Sequence, residues 1–405
     1  MKGPFKLAVP LIAALAAAAC SAGGSSNLPI SAEGAPAATH VLPGYLTGAH
    51  PACAGSRVGQ AQCDALISDR GAQPDISGLT AANLEAAYNL PSKKGGKKQS
   101  VYIVDSYDNP NIASDLATYR SAMGLPKPKF NKYNQTGQKS NYPPADKGWG
   151  LEEDLDVEMV SASCPNCTIN LVEADDNSWT NTEAAEEEAV KLGAKIISNS
   201  YSGTGATESG YDSKGLTYLA SGGDDGYSGG LVDPATFQRV VAVGGTDLTA
   251  DTGTKRGWTE VVWSRAGAGC SLTQEAKPAW QTDTGCKYRT GDDISAVAAV
   301  EVAEYDSYEY SGWFLIGGTS VSSPLVAGMY ALAGNAAKQT GGENLWKAFT
   351  KLTIAKQEAS THNFYISSGS DGSCNGSYLC TAGTQQYGIY SGPSGWGTPD
   401  GVKEL

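Results

Sequence analysis

Apolar and polar positions follow two rhythms along the chain. Short runs rich in β-branched and aromatic residues read as strands: VYIVDSY at 101–107, INLVEA at 169–174, IISNSY at 196–201, VVAVGGT at 240–246 and GWFLIGGT at 312–319. Between them, residues 115–123, 152–163 and 182–192 carry a helical period. Residues 321–333 are mostly apolar and predict a buried helix. Regular structure is expected to begin near LTAANLEAAYNLPS at 79–92. The alternation predicts an α/β fold with a mainly parallel central sheet flanked by helices. No internal repeat is visible.

The opening segment breaks this rhythm. MKGPFKLAVPLIAALAAAAC carries Lys2 and Lys6, then an apolar run, then small residues, which is the layout of an export signal. It is short for a membrane span, and an uncleaved anchor is the alternative. Residues 1–20 are assigned to the signal peptide. Residues 21–75 form a flexible tether, Pro/Ala/Gly-rich to about His50, and a short disulfide loop. Residues 76–405 form the main domain.

Cysteine placement agrees with export. Of nine cysteines, eight fall into close neighbours that pair as Cys53 with Cys63, Cys164 with Cys167, Cys270 with Cys286, and Cys374 with Cys380. Cys164 and Cys167 also fit a redox or zinc motif, though a CxxC without a second half says little about zinc. Cys20 follows Ala17-Ala18-Ala19 and precedes Ser21, which resembles a bacterial lipoprotein cleavage site. Lipidation of Cys20, and membrane attachment through it, is therefore expected. The usual Leu three residues earlier is missing, so cleavage after Ala19 stays open. The net charge of −13 argues against a nucleic-acid partner, because phosphate binding needs clustered Lys and Arg.

The most informative segment is Gly317-Gly318-Thr319-Ser320-Val321-Ser322-Ser323-Pro324, a strand running into a helix. Ser320 would sit where free N–H groups and the helix dipole favour developing negative charge. Pro324 is expected to be tolerated as an early helix residue with no N–H bond to lose. A plain helix-capping role for Ser320 is the competing reading. As a nucleophile, the serine needs a base. The three histidines offer none: His40 and His50 lie in the tether, and His362 lies in a late loop.

Glu152 and Asp156 supply an alternative. Four residues apart, they share one helix face beside the apolar stripe Leu151, Leu155 and Met159. Two like charges so placed tend to share a proton, which would let Glu152 accept the serine proton while Asp156 orients it. A solvated acidic face is the competing reading.

The GTSxxxP segment resembles the nucleophile motif of the subtilisin-like fold. Together with the ExxxD of Glu152 and Asp156, it resembles the sedolisins, the serine-carboxyl peptidases. A third match is Ser221-Gly222-Gly223-Asp224-Asp225-Gly226, and the resemblance runs from about Leu79 to the C-terminus. It implies a Ser-Glu-Asp triad, an oxyanion hole completed by Asp224, and protein or peptide substrates. Asp224 can donate there only when protonated, so an acidic optimum is expected. Asp105 is read as structural, and the strand at 196–201 as an edge that pairs with substrate backbone. Sedolisins usually bind calcium near the C-terminus. Here the matching positions are Tyr365 and Ser391, so no cofactor and no metal is expected, with the Cys374–Cys380 bridge holding that region instead.

The reading is thus an exported, monomeric serine-type endopeptidase, either secreted or a cell-envelope lipoprotein. The long prodomain common in the family has no counterpart in this sequence. A catalytically silent, peptide- or protein-binding surface lipoprotein is the alternative. A histidine-type subtilase using Asp105 lacks its base.

Overall fold

The computed structural model describes residues 48–55 and 57–405. The signal segment, Cys20 and the tether to residue 47 lie outside the described residues.

The described chain opens on three short strands, β1 (Ala49–Pro51), β2 (Gln62–Cys63) and β3 (Leu66–Ser68), followed by helix α1 (Ala81–Ala87). Strand and helix then alternate: β4 (Ser100–Ser106), α2 (Ile112–Ala122), β5 (Lys129–Asn134), α3 (Lys147–Ser163), β6 (Thr168–Ala174) and α4 (Trp179–Lys191). Next come β7 (Ile196–Asn199), β8 (Tyr201–Ser202), β9 (Thr217–Ser221), the single turn α5 (Gly226–Gly229), β10 (Val240–Ala250) and β11 (Trp258–Val262). Strands β12 (Ile294–Val297), β13 (Val302–Asp306) and β14 (Gly312–Gly317) lead into helix α6 (Thr319–Ala333).

The central sheet runs β11-β10-β9-β7-β4-β6-β5, with β12 also on β10. Every pairing in it is parallel except β10 with β11. Strand β4 explains why the centre is parallel. Val101, Tyr102, Ile103 and Val104 are all buried, as in a strand covered on both faces. Helices α3 and α6 pack against each other. Gly328 permits this approach, since a Cβ there would stand 2.0 Å from Ser163 Oγ.

Four expectations need correction. Among the described residues, regular structure is already present from 49, ahead of 79: β1 and β3 join β14 and β13 in a second, antiparallel sheet. The run at 312–319 therefore lies outside the parallel sheet. Helix α3 begins at Lys147, ahead of 152, because Asp146 caps it by accepting from the Gly148 and Trp149 amides at 2.9 and 3.0 Å. Pro324 is the sixth residue of α6, past the turn whose amides lack helical partners, so it does remove a helical bond. That missing bond would have gone to the Ser320 carbonyl.

Candidate active site

Ser320 is the second residue of α6, fully buried, with its amide at the positive end of the helix. Its Oγ donates to the Ser200 carbonyl at 3.1 Å. The Ser200 hydroxyl in turn donates to Asp156 Oδ1 at 2.6 Å and lies 3.5 Å from the Ser320 carbonyl that Pro324 leaves unpaired.

Glu152 sits one turn before Asp156. The acids of α3 at 152, 153, 154, 156 and 158 are all wholly buried, which rules out a solvated acidic face. Glu152 is held well above the ordinary carboxyl range by burial first, then by the Asp156 and Asp105 charges; the nearby Ser320 hydroxyl pulls the other way. While that hydroxyl points at Ser200, neither Glu152 oxygen has a hydrogen-bond partner. Asp156 is likewise raised by burial and by Asp105. The pair therefore shares protons rather than ionising twice.

Asp224 reaches the same point from the loop after β9. Its Oδ1 accepts from the Thr319 amide and hydroxyl at 2.8 and 2.9 Å, while Oδ2 has no partner. Burial, then the Asp64 charge, pushes its pKa up to about 8, against Arg265 and Arg57. Burial thus favours the protonated acid, which can donate from Oδ2. Gly318 next to Ser320 has φ +103°, and a Cβ there would lie 1.8 Å from the Asp64 carbonyl oxygen and 2.7 Å from Asp224 Oδ2. Only glycine lets both atoms approach.

The structure brings Ser320, Glu152, Asp156 and Asp224 together. It adds three residues that sequence reasoning did not assign to the site. Asp105, at the end of β4, is buried with both oxygens unpartnered and is pushed up to about 8 by burial. The available signal was its place after the first central strand. Ser200 lies in the predicted edge segment, from which no side chain was singled out. Asp64 follows the first disulfide loop, and nothing in its local sequence marks it. The two described histidines stay apart: His50 bonds Asp69, and His362 lies against Lys403 and Glu404.

Comparison with known proteins fits this arrangement. The family model of the subtilase family matches residues 140–374, more than half of the 405-residue chain. The chain belongs to the subtilase family. It is similar to sedolisin of Pseudomonas sp. (strain 101), 25% identical over 385 residues, covering 83% of this chain and 63% of that one. It is also similar to kumamolisin of Bacillus sp. (strain MN-32), 26% identical over 295 residues, covering 62% and 51%. This subtilase thus spans less than two thirds of either relative. Its fold is shared with the solved Pseudomonas sedolisin complexed with two molecules of pseudo-iodotyrostatin (TM-score 0.65, 24% identity, covering 80% of this chain and 96% of that one).

All four expected disulfides are present in this subtilase. At the two positions that the resemblance matches to calcium ligands, the donors do not fit the ion. Tyr365 and Ser391 supply no carboxylate, and Ser391 Oγ is engaged with Ser394 Oγ at 2.6 Å. Asp371 nearby is buried, and burial pushes its carboxyl up to about 8. Elsewhere, Asp115, Asp154 and Asp306 bring one carboxylate oxygen each within 4.8 Å of one another. No helix among the described residues is long and apolar enough to cross a membrane.

Proposed function

We propose that this subtilase is an exported serine-carboxyl endopeptidase that cuts protein or peptide substrates, most actively in acid. Ser320 Oγ turns from the Ser200 carbonyl to Glu152, gives up its proton there and attacks the substrate carbonyl. Asp156, fixed by Ser200, holds the shared proton that keeps the pair from ionising twice. The Ser320 amide and protonated Asp224 Oδ2 receive the developing oxyanion. The substrate amine leaves with the proton carried by Glu152, and water, activated by the same carboxylate, frees Ser320.

The observation that carries the reading is the convergence of one serine and three buried carboxyl groups at the N-terminus of α6, with no described histidine beside them. Export, lipid attachment at Cys20, a monomeric state and the absence of family-type calcium belong to the same proposal. Casein digestion in acid tests the activity. Ser320→Ala should abolish it, by about 10³-fold or more; undiminished digestion would reject the nucleophile. The complete burial of Ser320 favours a second reading, a silent peptide-binding protein. That reading predicts casein binding with no cleavage in either form.

A further inference from the structure

A nucleophile must be reached by its substrate, yet Ser320 is fully buried. The cover is the chain's own residues 58–68, laid across the site as an extended peptide. Strand β2 pairs antiparallel with β8, Gln62 opposite Ser202 and Cys63 opposite Tyr201, while the Gly59 amide donates to the Thr204 carbonyl at 2.9 Å. The Asp64 amide donates to the Ser200 carbonyl at 3.1 Å, and the Ser320 amide donates to the Asp64 carbonyl at 3.3 Å. Past that carbonyl, Leu66 pairs with Gly317 and Ile67 with Ile316. Backbone pairing thus continues on both sides of the Asp64–Ala65 bond, in the manner of strand addition to a sheet edge. The Asp64 carbonyl oxygen faces the groups assigned to the oxyanion, the Ser320 amide and the side of Gly318 where Asp224 Oδ2 stands.

The side chain of Asp64 is also seated. Oδ1 accepts from Ser202 Oγ at 2.9 Å and pairs with Arg57 at 2.6 Å; Oδ2 accepts from Ser221 Oγ at 2.6 Å. Both flanks are tied down. The Cys53–Cys63 disulfide anchors the residue before Asp64. On the other side, β1 pairs with β3 and the Ala52 amide donates to the Ala65 carbonyl at 2.9 Å.

We propose that residues 58–68 are a built-in, substrate-like inhibitor of the Ser320 site, and that Asp64–Ala65 is the bond the site cuts to open itself. This rests on the reading of Ser320 as nucleophile. Ser320 Oγ bonds to the Asp64 carbonyl carbon and its proton passes to Glu152. The C–N bond breaks, and the Ala65 nitrogen takes that proton as it leaves. Water then hydrolyses the ester, giving an Asp64 carboxylate, a new amino terminus at Ala65 and a free Ser320 hydroxyl. Because the disulfide and the β1–β3 pairing hold both cut ends near the site, the leaving amine stays at high effective concentration and opening is slow. Loosening the disulfide speeds it.

The test follows amino termini and activity on an external peptide in full-length wild type and variants incubated in acid. Wild type should develop an Ala65 terminus at a rate independent of protein concentration, with peptide activity rising in step; Ser320→Ala should develop neither. Ala65→Pro removes an amide that makes no backbone bond and disfavours enzymatic cleavage; because an Asp–Pro bond also hydrolyses in acid unaided, Ala65→Pro carrying Ser320→Ala serves as the blank. Ala65→Pro should be cut no faster than that blank, with peptide activity about 100-fold below processed wild type. The double variant Cys53→Ser/Cys63→Ser should open severalfold faster. Uncut Ala65→Pro with full peptide activity would overturn the inhibitor while leaving Ser320 as nucleophile. So would a disulfide variant, active on peptide, that opens no faster. No activity and no Ala65 terminus in any protein would sink both readings.

Discussion

Replacing Asp224 by Asn separates the proposed oxyanion role of this carboxyl from its charge. Asp224 Oδ1 accepts from the Thr319 amide and hydroxyl, and an Asn carbonyl oxygen can keep both bonds. The Asn NH₂ then occupies the place of Oδ2 and donates at every pH, whereas the acid donates only while protonated. In the closed chain Asp224 is pushed up to about 8, by burial first and by the Asp64 charge second. Both influences weaken when the cut Asp64 strand moves off the site, so in the open enzyme the pKa falls below that value and the alkaline limb moves toward acid. Above the pKa, each pH unit removes about tenfold of the protonated form. Losing one oxyanion donor costs about 10²–10³ in rate. The wild-type kcat/KM on a chromogenic peptide should thus fall roughly 100-fold over two pH units before levelling. Asp224→Asn should lack that limb and stay within about tenfold of the wild-type maximum, while Asp224→Ala should be about 10²–10³ slower throughout. An Asn variant with the wild-type limb unchanged would refute this role for Asp224.

Stability should also depend on pH. Burial pushes Asp105, Asp224 and Asp306 each to about 8 in the folded chain. These groups bind protons in the folded state that the unfolded chain releases near pH ~4. Their contribution to stability is therefore fullest below that pH and is lost as the pH rises toward about 8. A thermal midpoint that rises from pH ~4 to ~8 would contradict this. Calcium should give no stoichiometric heat in calorimetric titration of the C-terminal region, because Tyr365 and Ser391 supply no carboxylate; tight binding lost on Ser391→Ala would reverse that conclusion.

Much of the site was legible because its parts are local. The i, i+4 spacing of Glu152 and Asp156 places them on one helix face in any context, and the glycines before Ser320 mark a sharp strand-to-helix turn. Burial of the acids was not legible. A hydropathy pattern treats five carboxylates in seven positions, 152–158, as a solvated face, and only packing between the sheet, β13 and α6 takes them out of water. Strand β5, KFNKYN, is an edge whose lysines mask its period. Residues 49–68 were read as tether and loop because strands of two or three residues carry no period. Their partners lie far along the chain, Leu66 with Gly317 and Cys63 with Tyr201. The covering segment, and Asp64 within it, became visible only once both sides of the groove were in place.

The central claim is that Ser320 becomes acylated with Glu152 as its base. It is tested most directly by mixing the opened enzyme with a peptide ester, quenching in acid within milliseconds, and locating the added acyl mass by peptide mapping. The account predicts the mass on Ser320, formed about 10²–10⁴ times more slowly in Glu152→Gln. Acyl mass on another residue, or undiminished acylation in Glu152→Gln, would contradict it.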